Sequence, residues 1–155
     1  MNATVAVRRG TRDDREFVRA LARSSATSSV SAVRVAKYDD VVDSTARLVE
    51  FVFKRKHDVL IAEENGERVG FLLLLYDVPD EVTLTDQAFV AYTAVEPHAR
   101  GRGAGRALLQ TAEAHARANG LRYVSLMVTE DNLPARALYE GAGFLTERRM
   151  MTKVL

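Results

Sequence analysis

The sequence predicts a mixed α/β fold in which helices cover a β-sheet. Strand and helix patterns follow each other in the order β-α-α-β-β-β-α-β-α-β, which is typical of that fold class. The length of 155 residues suits one compact domain, so we expect residues 1–155 to form a single domain. The hydrophobic fraction of 47% is large enough to fill its core.

Alternating or apolar runs predict the strands, and apolar residues at helical spacing predict the helices. The first elements are a strand over Val5–Arg9, a helix that begins after Thr11, a serine-rich loop over Ser24–Ser31 and a helix over Val41–Lys56. Asn65-Gly66 predicts a hairpin turn between strands over Val59–Glu63 and Arg68–Tyr76. The second of these strands is apolar on both faces, which favours a central place in the sheet.

The second half of the chain alternates strand and helix. Its elements are an acidic loop over Asp77–Asp86, a strand over Ala88–Val95 that ends at Pro97, a helix that begins in Gly101–Gly105 and runs to about Asn119, a strand over Tyr123–Val128, a short helix over Asn132–Glu140 and a last strand or hairpin over Phe144–Val154. The third predicted helix carries one apolar stripe, formed by Leu108, Leu109, Ala112 and Ala116.

Composition narrows the classes of function. The net charge of +1 gives no bulk electrostatic case for binding nucleic acid or an anionic membrane. Because the chain has no cysteine, it has no disulfide, thiolate metal site or catalytic thiol. The three histidines are scattered without a metal-ligand spacing, so we expect no metal. We expect His115 to lie on a solvated helix face.

No segment of the sequence predicts membrane insertion or export. The longest apolar run, Phe71–Tyr76, is far too short to span a bilayer. Arginines near the start of the chain leave no room for the apolar stretch of a signal peptide; they are Arg8, Arg9, Arg12 and Arg15. We therefore expect a cytoplasmic protein without membrane contact.

The segment 100–105 reads Arg-Gly-Arg-Gly-Ala-Gly and lies between a predicted strand and a predicted helix. Its glycines let the backbone approach a ligand closely, and the first free N–H groups of the helix form an anion site suited to a pyrophosphate. Cationic donors surround that site; they are Arg100, Arg102 and Arg106. A surface turn in which the glycines have no ligand is the alternative.

Two better-known phosphate loops do not fit this segment. A Walker loop needs Lys-Ser or Lys-Thr where Arg106-Ala107 stands, and a dinucleotide fingerprint that starts at Gly101 needs a glycine at position 106. The pattern that fits is R-x-x-G-x-G. Pro97 removes a ladder donor after Val95, which predicts a cleft where free backbone groups pair with an amide-bearing ligand.

A second group of residues lies near one face of the last predicted helix. Asn132 is a typical N-cap before Pro134, and Ala135 and Tyr139 follow at helical spacing. Taken alone, these residues favour simple capping by Asn132 and packing by Tyr139, and a pocket wall is the alternative.

Both segments stand at the spacing of a known family, and the chain resembles the GCN5-related N-acetyltransferases over about Ala88–Phe144. The family's phosphate-binding segment matches Arg100, Gly103 and Gly105, with Val95-x-Pro97 before it. Its later motif, N-x-x-A-x-x-L-Y-x-x-x-G-F, matches Asn132, Ala135, Leu138, Tyr139, Gly143 and Phe144. The resemblance implies a central, mostly antiparallel sheet that is flanked by helices and splays open between the Ala88–Val95 and Tyr123–Val128 strands.

The resemblance also implies an activity, the direct transfer of an acetyl group from acetyl-coenzyme A (acetyl-CoA) to a primary amine without a covalent acyl-enzyme. The expected contacts with acetyl-CoA are Ala94, Val95, Arg100, Gly101, Arg102, Gly103, Ala104, Gly105, Arg106, Asn132, Ala135 and Tyr139. By resemblance, the Val95 N–H donates to the developing oxyanion and Tyr139 is the general acid for the departing thiolate.

The general base and the acceptor stay open. The Gln87–Val95 stretch, where some relatives carry a glutamate, contains no acid. The candidate bases are Glu130, Asp131, Tyr92, the acids of the 77–86 loop and a water chain. The acceptor is a small molecule, a peptide N-terminus or a lysine side chain, bound by the Ser24–Lys37 segment, the second helix and the Asp77–Asp86 loop. Asp77, Asp80, Glu81 and Asp86 could attract a cationic amine.

Other functions are compatible with the same residues. A non-catalytic acyl-CoA sensor or partner-binding domain would keep the glycine turn and lose proton handling, and a generic nucleotide-phosphate binder would prefer ATP. A homodimer through the final strands is a further expectation from the resemblance.

Overall fold

The computed structural model describes residues 4–155. In chain order its elements are β1 (Val5–Arg9), α1 (Arg15–Ser25), α2 (Tyr38–Phe53), β2 (His57–Glu64), β3 (Glu67–Leu75), β4 (Ala88–Val95), α3 (Ala104–Ala118), β5 (Val124–Leu126) and α4 (Leu133–Gly141). Short 3₁₀ turns cover residues 12–14, 26–29 and 97–99. The predicted boundaries of β1 and β4 are confirmed.

The strands form one mixed sheet in the order β1-β2-β3-β4-β5. Neighbouring strands are antiparallel except for β4 and β5, which are parallel. The central place predicted for β3 is confirmed, because it pairs with strands on both sides and is buried from Val69 to Leu75. Asn65 and Gly66 have φ angles of 53° and 79°, as a tight β2–β3 hairpin requires.

Helices cover both faces of the sheet. Successive side chains of β3 point to opposite faces of the sheet. Leu72 and Leu74 pack on the α3 side. Phe71 and Leu73 pack on the side of α1 and α2. The predicted stripe of α3 is confirmed, since Leu108, Leu109, Ala112 and Ala116 are all buried. The predicted fold class is therefore confirmed. None of the helices within residues 4–155 is long and apolar enough to cross a membrane.

The prediction of a last strand or hairpin over Phe144–Val154 is wrong. Residues 144–155 contain no strand, because a strand forms only where a partner strand supplies its hydrogen bonds. Large apolar side chains along this segment face solvent: Leu145 is 91% exposed and Met151 is 91% exposed. The Arg148–Asp80 ion pair holds the segment against the loop before β4.

Three other predictions need smaller corrections. The serine-rich stretch does not begin with a loop, because the Ser24 and Ser25 hydroxyls donate to the Leu21 carbonyl within α1. α2 begins at Tyr38, where Asp39 and Asp40 lie in its first turn and favour the helix dipole. β5 covers only three residues, Val124–Leu126.

The expectation that His115 lies on a solvated face is wrong. Its side chain is 21% exposed, and its Nδ1 atom lies 2.8 Å from a carboxylate oxygen of Asp58. The Tyr76 hydroxyl donates to the same carboxylate. This group of side chains ties the C-terminal part of α3 to the ends of β2 and β3.

Candidate functional site

β4 and β5 pair over a short distance and then separate. Their parallel pairing covers Ala88 with Val124, Phe89 with Ser125 and Val90 with Leu126. On its other side β4 has an irregularity between Val90 and Tyr92, where it pairs with Leu74 and then Leu73 of β3. This bulge lies directly after the last pair with β5, and bulges bend the strand that carries them. A gap therefore opens beside residues 91–95.

Backbone groups of β4 face this gap. The Glu96 N–H donates to the Val69 carbonyl at 2.7 Å. Because bonding direction alternates along an antiparallel pair, Ala94 turns its backbone toward β3 while Thr93 and Val95 turn theirs toward the gap. Val95 thus turns its backbone groups toward the side where the sequence predicts a cleft. At Ala94, a predicted contact residue, only the methyl group can reach a ligand.

The glycine turn follows at the end of the gap. Gly101 and Gly103 have φ angles of 74° and 92°, a region that side-chain-bearing residues avoid. A Cβ atom at either position would meet no atom within 4 Å. Gly103 is the N-cap of α3, and Ala104 begins the helix. The first N–H groups of this 15-residue helix have no partner within the helix, and such groups can bind an anion.

Gly105 has different surroundings from Gly101 and Gly103. A Cβ atom there would lie 2.9 Å from Leu138 Cδ2, which belongs to α4. The lack of a side chain lets α4 pack closely on the first turn of α3. The sequence predicted close ligand approach at all three glycines, whereas the structure gives Gly105 a packing role.

The three predicted cations have different surroundings. Arg100 donates through Nε to the Val95 carbonyl at 3.2 Å, and Arg102 donates through Nη1 to Glu64 at 2.9 Å. Arg106 faces solvent. Glu64 is 7% exposed, so its carboxylate fixes Arg102 beside the turn. Sequence reasoning missed Glu64, whose only signal was an acid directly before the Asn65-Gly66 hairpin.

The start of α4 is hydrogen-bonded to the α1–α2 connection. Asn132 is the predicted N-cap, and its Oδ1 accepts from the Ala135 N–H at 3.3 Å. Its Nδ2 donates to the Ser28 carbonyl at 3.4 Å. Thr129 likewise donates to the Ser29 carbonyl at 2.8 Å. These bonds join the two segments that border the open end of the gap.

Tyr139 packs with the side chains on the α3 face of the sheet. Its ring meets Phe144 edge-on at 5.9 Å between centroids. Burial raises the pKa of the Tyr139 phenol, and the nearby Tyr92 raises it further. The phenol therefore keeps its proton at neutral pH and is able to donate it.

Most of the candidate bases are engaged in loop structure. Asp131 accepts from the Ala32 N–H at 2.6 Å, and Glu130 lies 3.3 Å from Arg136. Asp77 accepts from Arg55 at 3.0 Å. Hydrogen bonds from Thr83 and the ion pair with Arg148 lower the pKa of Asp80 to about 2. Tyr92 differs from these acids, since its hydroxyl lies 2.9 Å from that of Ser25.

No group of three His, Asp or Glu side chains within the described part of the chain could hold a metal ion. The site combines the start of a helix after a glycine turn, a strand edge that faces a gap and two phenols.

Comparison with known proteins identifies related chains. The model of the acetyltransferase (GNAT) family matches residues 20–144. The chain is 41% identical over 86 residues to the uncharacterized N-acetyltransferase YhfO of Bacillus subtilis, a match that covers 56% of this chain and 57% of that protein. It is 52% identical over 50 residues to a mycothiol acetyltransferase of Geodermatophilus obscurus, a match that covers 32% of this chain and 16% of the relative. The chain thus matches less than two thirds of the length of either relative.

Solved structures share the fold over nearly the whole chain. A Pyrococcus furiosus protein named as an acetyl transferase has a TM-score of 0.81 at 27% identity, covering 98% of this chain and 100% of that one. The aminoglycoside N-acetyltransferase AAC(6')-Iy, solved in complex with CoA, has a TM-score of 0.73 at 16% identity, with 100% of this chain and 97% of that one covered. At that identity the second likeness shows the fold alone.

Proposed function

This chain belongs to the acetyltransferase (GNAT) family, and we propose that it transfers an acetyl group from acetyl-CoA directly to a primary amine. One observation carries the proposal: the gap between β4 and β5 runs into the glycine turn at the start of α3. A strand edge that can pair with amides and a helix start that can bind phosphate are therefore continuous. Acetyl-CoA carries amides, a pyrophosphate and a thioester in one extended molecule.

The chain's own groups supply complementary contacts for this donor substrate. The backbone of Val95 and Thr93 would pair with the amides of the pantetheine arm. The N–H groups of segment 101–106, with Arg100 and Arg106, would bind the pyrophosphate. Asn132 and Ala135 would border the arm from the start of α4.

Direct transfer needs three groups near the thioester. The amine nitrogen bonds to the acetyl carbon, the carbon–sulfur bond breaks and the sulfur leaves with the electron pair. The Val95 N–H would donate to the carbonyl oxygen as negative charge develops there. Tyr139, protonated at neutral pH, would give its proton to the departing sulfur. The amine would give one proton to water before it attacks, because an alkylammonium has no lone pair. The second proton that nitrogen loses as the amide forms would return through water to the Tyr139 phenolate.

The acceptor is a small molecule, a peptide N-terminus or a lysine side chain. The engagement of the acids Asp77 and Asp80 with arginines argues against a free acidic loop that attracts cations. The α1–α2 connection, joined to the start of α4, forms the border that an acceptor would meet.

A homodimer is part of the same proposal. The exposed segment 145–155 and the outer edge of β5 both carry large apolar side chains that face solvent; among them are Leu145, Met150, Met151, Val154 and Met127. A second copy of the chain would cover both, because an extended segment can add to an open sheet edge.

A non-catalytic sensor of acyl-CoA is the alternative. Tyr139 favours the enzyme, since a sensor has no use for a protonated phenol beside the thioester. We propose that residues 1–155 act as a single domain; a cytoplasmic location stays a prediction from the sequence.

Titration of the protein with acetyl-CoA, and with ATP as the competing phosphate ligand, tests the binding step by calorimetry. The proposal expects acetyl-CoA to bind and ATP to bind more weakly. Tighter binding of ATP would contradict it. Thiol release with a panel of amines then separates the enzyme from the sensor, which would bind acetyl-CoA and turn over with no amine.

A further inference from the structure

Two phenols pack on opposite faces of the sheet. Tyr92 packs on the α1 and α2 side, where its ring stacks on Phe71 at 6.0 Å between centroids. Tyr139 packs on the α3 side. Tyr92 follows Val90, the last residue of β4 that pairs with β5, so it stands beside the gap. Tyr139 follows Leu138, which packs on the first turn of α3 at the end of the gap. The gap therefore has a phenol on each side.

The hydrogen bonds of Ser25 fix the direction of the Tyr92 hydroxyl. Ser25 Oγ carries one proton and lies 2.8 Å from the Leu21 carbonyl, which can only accept. Its proton is therefore used inside α1. At 2.9 Å from Tyr92 Oη, Ser25 must then accept, so the Tyr92 O–H donates to it. The Tyr92 oxygen can therefore bind a ligand only as a hydrogen-bond acceptor, through its lone pairs.

We propose that Tyr92 binds the acceptor amine by accepting one of its N–H groups, and that Ser25 holds Tyr92 in this accepting role. The inference rests on the proposed function, since it concerns the amine of that reaction. An amine whose N–H points at Tyr92 turns its lone pair away from the phenol, toward the middle of the gap. Tyr92 is thus a specificity residue and Ser25 a positioning residue.

The hydrogen-bonding roles of the two phenols match the two reacting groups, the amine and the sulfur. Tyr92 offers an acceptor to the amine, which is a donor. Tyr139 offers a proton to the sulfur, which becomes an acceptor as its bond to carbon breaks. The surroundings of Tyr92 are apolar, with Phe71, Phe89 and Ala94 in the same cluster, so its hydrogen bond would have little competition from charged groups there.

Substitutions separate this role from simple packing. Tyr92→Phe keeps the ring on Phe71 and removes only the oxygen. We expect it to raise the KM for the amine about tenfold while the Kd for acetyl-CoA changes less than about twofold. Ser25→Ala frees the Tyr92 hydroxyl to rotate, so we expect a smaller rise, about threefold. Ser25→Thr keeps the hydroxyl and should restore the wild-type KM.

The test uses the amine that the wild-type protein acetylates fastest among an alanyl peptide, a lysine-containing peptide, spermidine and an aminoglycoside. Tyr76→Phe is the matched control, because it also removes only a phenol oxygen, one that donates to Asp58 outside the proposed site. Melting temperatures check that each variant folds. Wild-type turnover with an unchanged amine KM in Tyr92→Phe would overturn this inference alone. A wild-type protein that acetylates no amine would overturn the proposed function and this inference together.

Discussion

Gly105 lies so close to Leu138 that a single added Cβ atom would come within 2.9 Å of the leucine Cδ2 atom. The two residues belong to the two separate motifs of the sequence, one at the start of α3 and one in α4. Their contact fixes the position of Tyr139, the next residue in α4, relative to the glycine turn. The spacing of the motifs in the sequence thus reflects direct packing in the fold.

Replacing Gly103 tests the anion site. Gly103→Ala forces a side-chain-bearing residue into a φ of 92°, which costs about 1–2 kcal/mol if the turn is kept. We expect the turn to change instead, and the affinity for acetyl-CoA to fall about tenfold or more when measured by calorimetry. Gly120→Ala is the matched control, since Gly120 has a φ of 72° and open surroundings at the other end of α3. Equal losses of affinity in the two variants would contradict the placement of the pyrophosphate.

Replacing Gly105 tests the packing of α4. Gly105→Ala should lower the melting temperature and the affinity for acetyl-CoA, because Leu138 must move away from the new methyl group. The double variant Gly105→Ala with Leu138→Ala gives that methyl group space, so we expect part of the lost affinity to return. The single variant Leu138→Ala completes the cycle. If the loss of binding free energy in the double variant equals the sum of the losses in the two single variants, the two residues are not coupled.

Tyr139→Phe tests the proton donor. We expect turnover to fall about 10²-fold, in the range of a lost general acid, while the Kd for acetyl-CoA stays nearly unchanged. An assay of the released CoA thiol measures turnover, and calorimetry measures the Kd for acetyl-CoA. Tyr123→Phe serves as control because Tyr123 is 50% exposed and precedes β5. Unchanged turnover in Tyr139→Phe would remove Tyr139 from the chemistry.

Asp14 gives a prediction about stability and pH. It is 1% exposed and accepts hydrogen bonds from Arg8, Arg68 and the Thr11 N–H. The hydrogen bonds from Arg8 are the main cause that lowers its pKa well below the ordinary value. Asp14→Asn should therefore reduce the free energy of unfolding by roughly 2 kcal/mol at pH 7.

The sign of the pH dependence follows from the lowered pKa of Asp14. The stabilisation is complete above the pKa of the unfolded state, near 3.9, and is lost as the pH falls toward the lower pKa of the folded state. Urea unfolding at pH 7 and below pH 4 should show the difference between wild type and Asp14→Asn becoming smaller in acid. A difference that grows in acid would contradict this account of the ion pairs.

The sequence predicted more of the fold than of the site. Helical stripes and strand patterns located every strand and α-helix through α4, because they depend on residues close in the chain. The last strand was predicted wrongly from Phe144–Val154, since pattern alone does not supply a pairing partner. Long-range side-chain contacts were also missed: Ser25 with Tyr92, Glu64 with Arg102 and His115 with Asp58 join residues distant in sequence.

Charges placed on the last segment test the homodimer. Leu145→Glu and Met151→Glu alter side chains that are each 91% exposed. In a monomer each substitution should change the free energy of unfolding by less than about 0.5 kcal/mol. We expect wild type to sediment as a dimer and the double variant as a monomer with the same melting behaviour at low concentration. A wild-type protein that sediments as a monomer would contradict the dimer.

Mass spectrometry of a complete reaction tests the central claim most directly. The protein is incubated with acetyl-CoA and each amine of the panel, and the masses of both the amine and the protein chain are measured. Direct transfer predicts an amine that carries one acetyl group, an equal amount of released CoA and a chain of unchanged mass. Release of CoA without an acetylated amine, or a chain that itself carries the acetyl group during turnover, would contradict it.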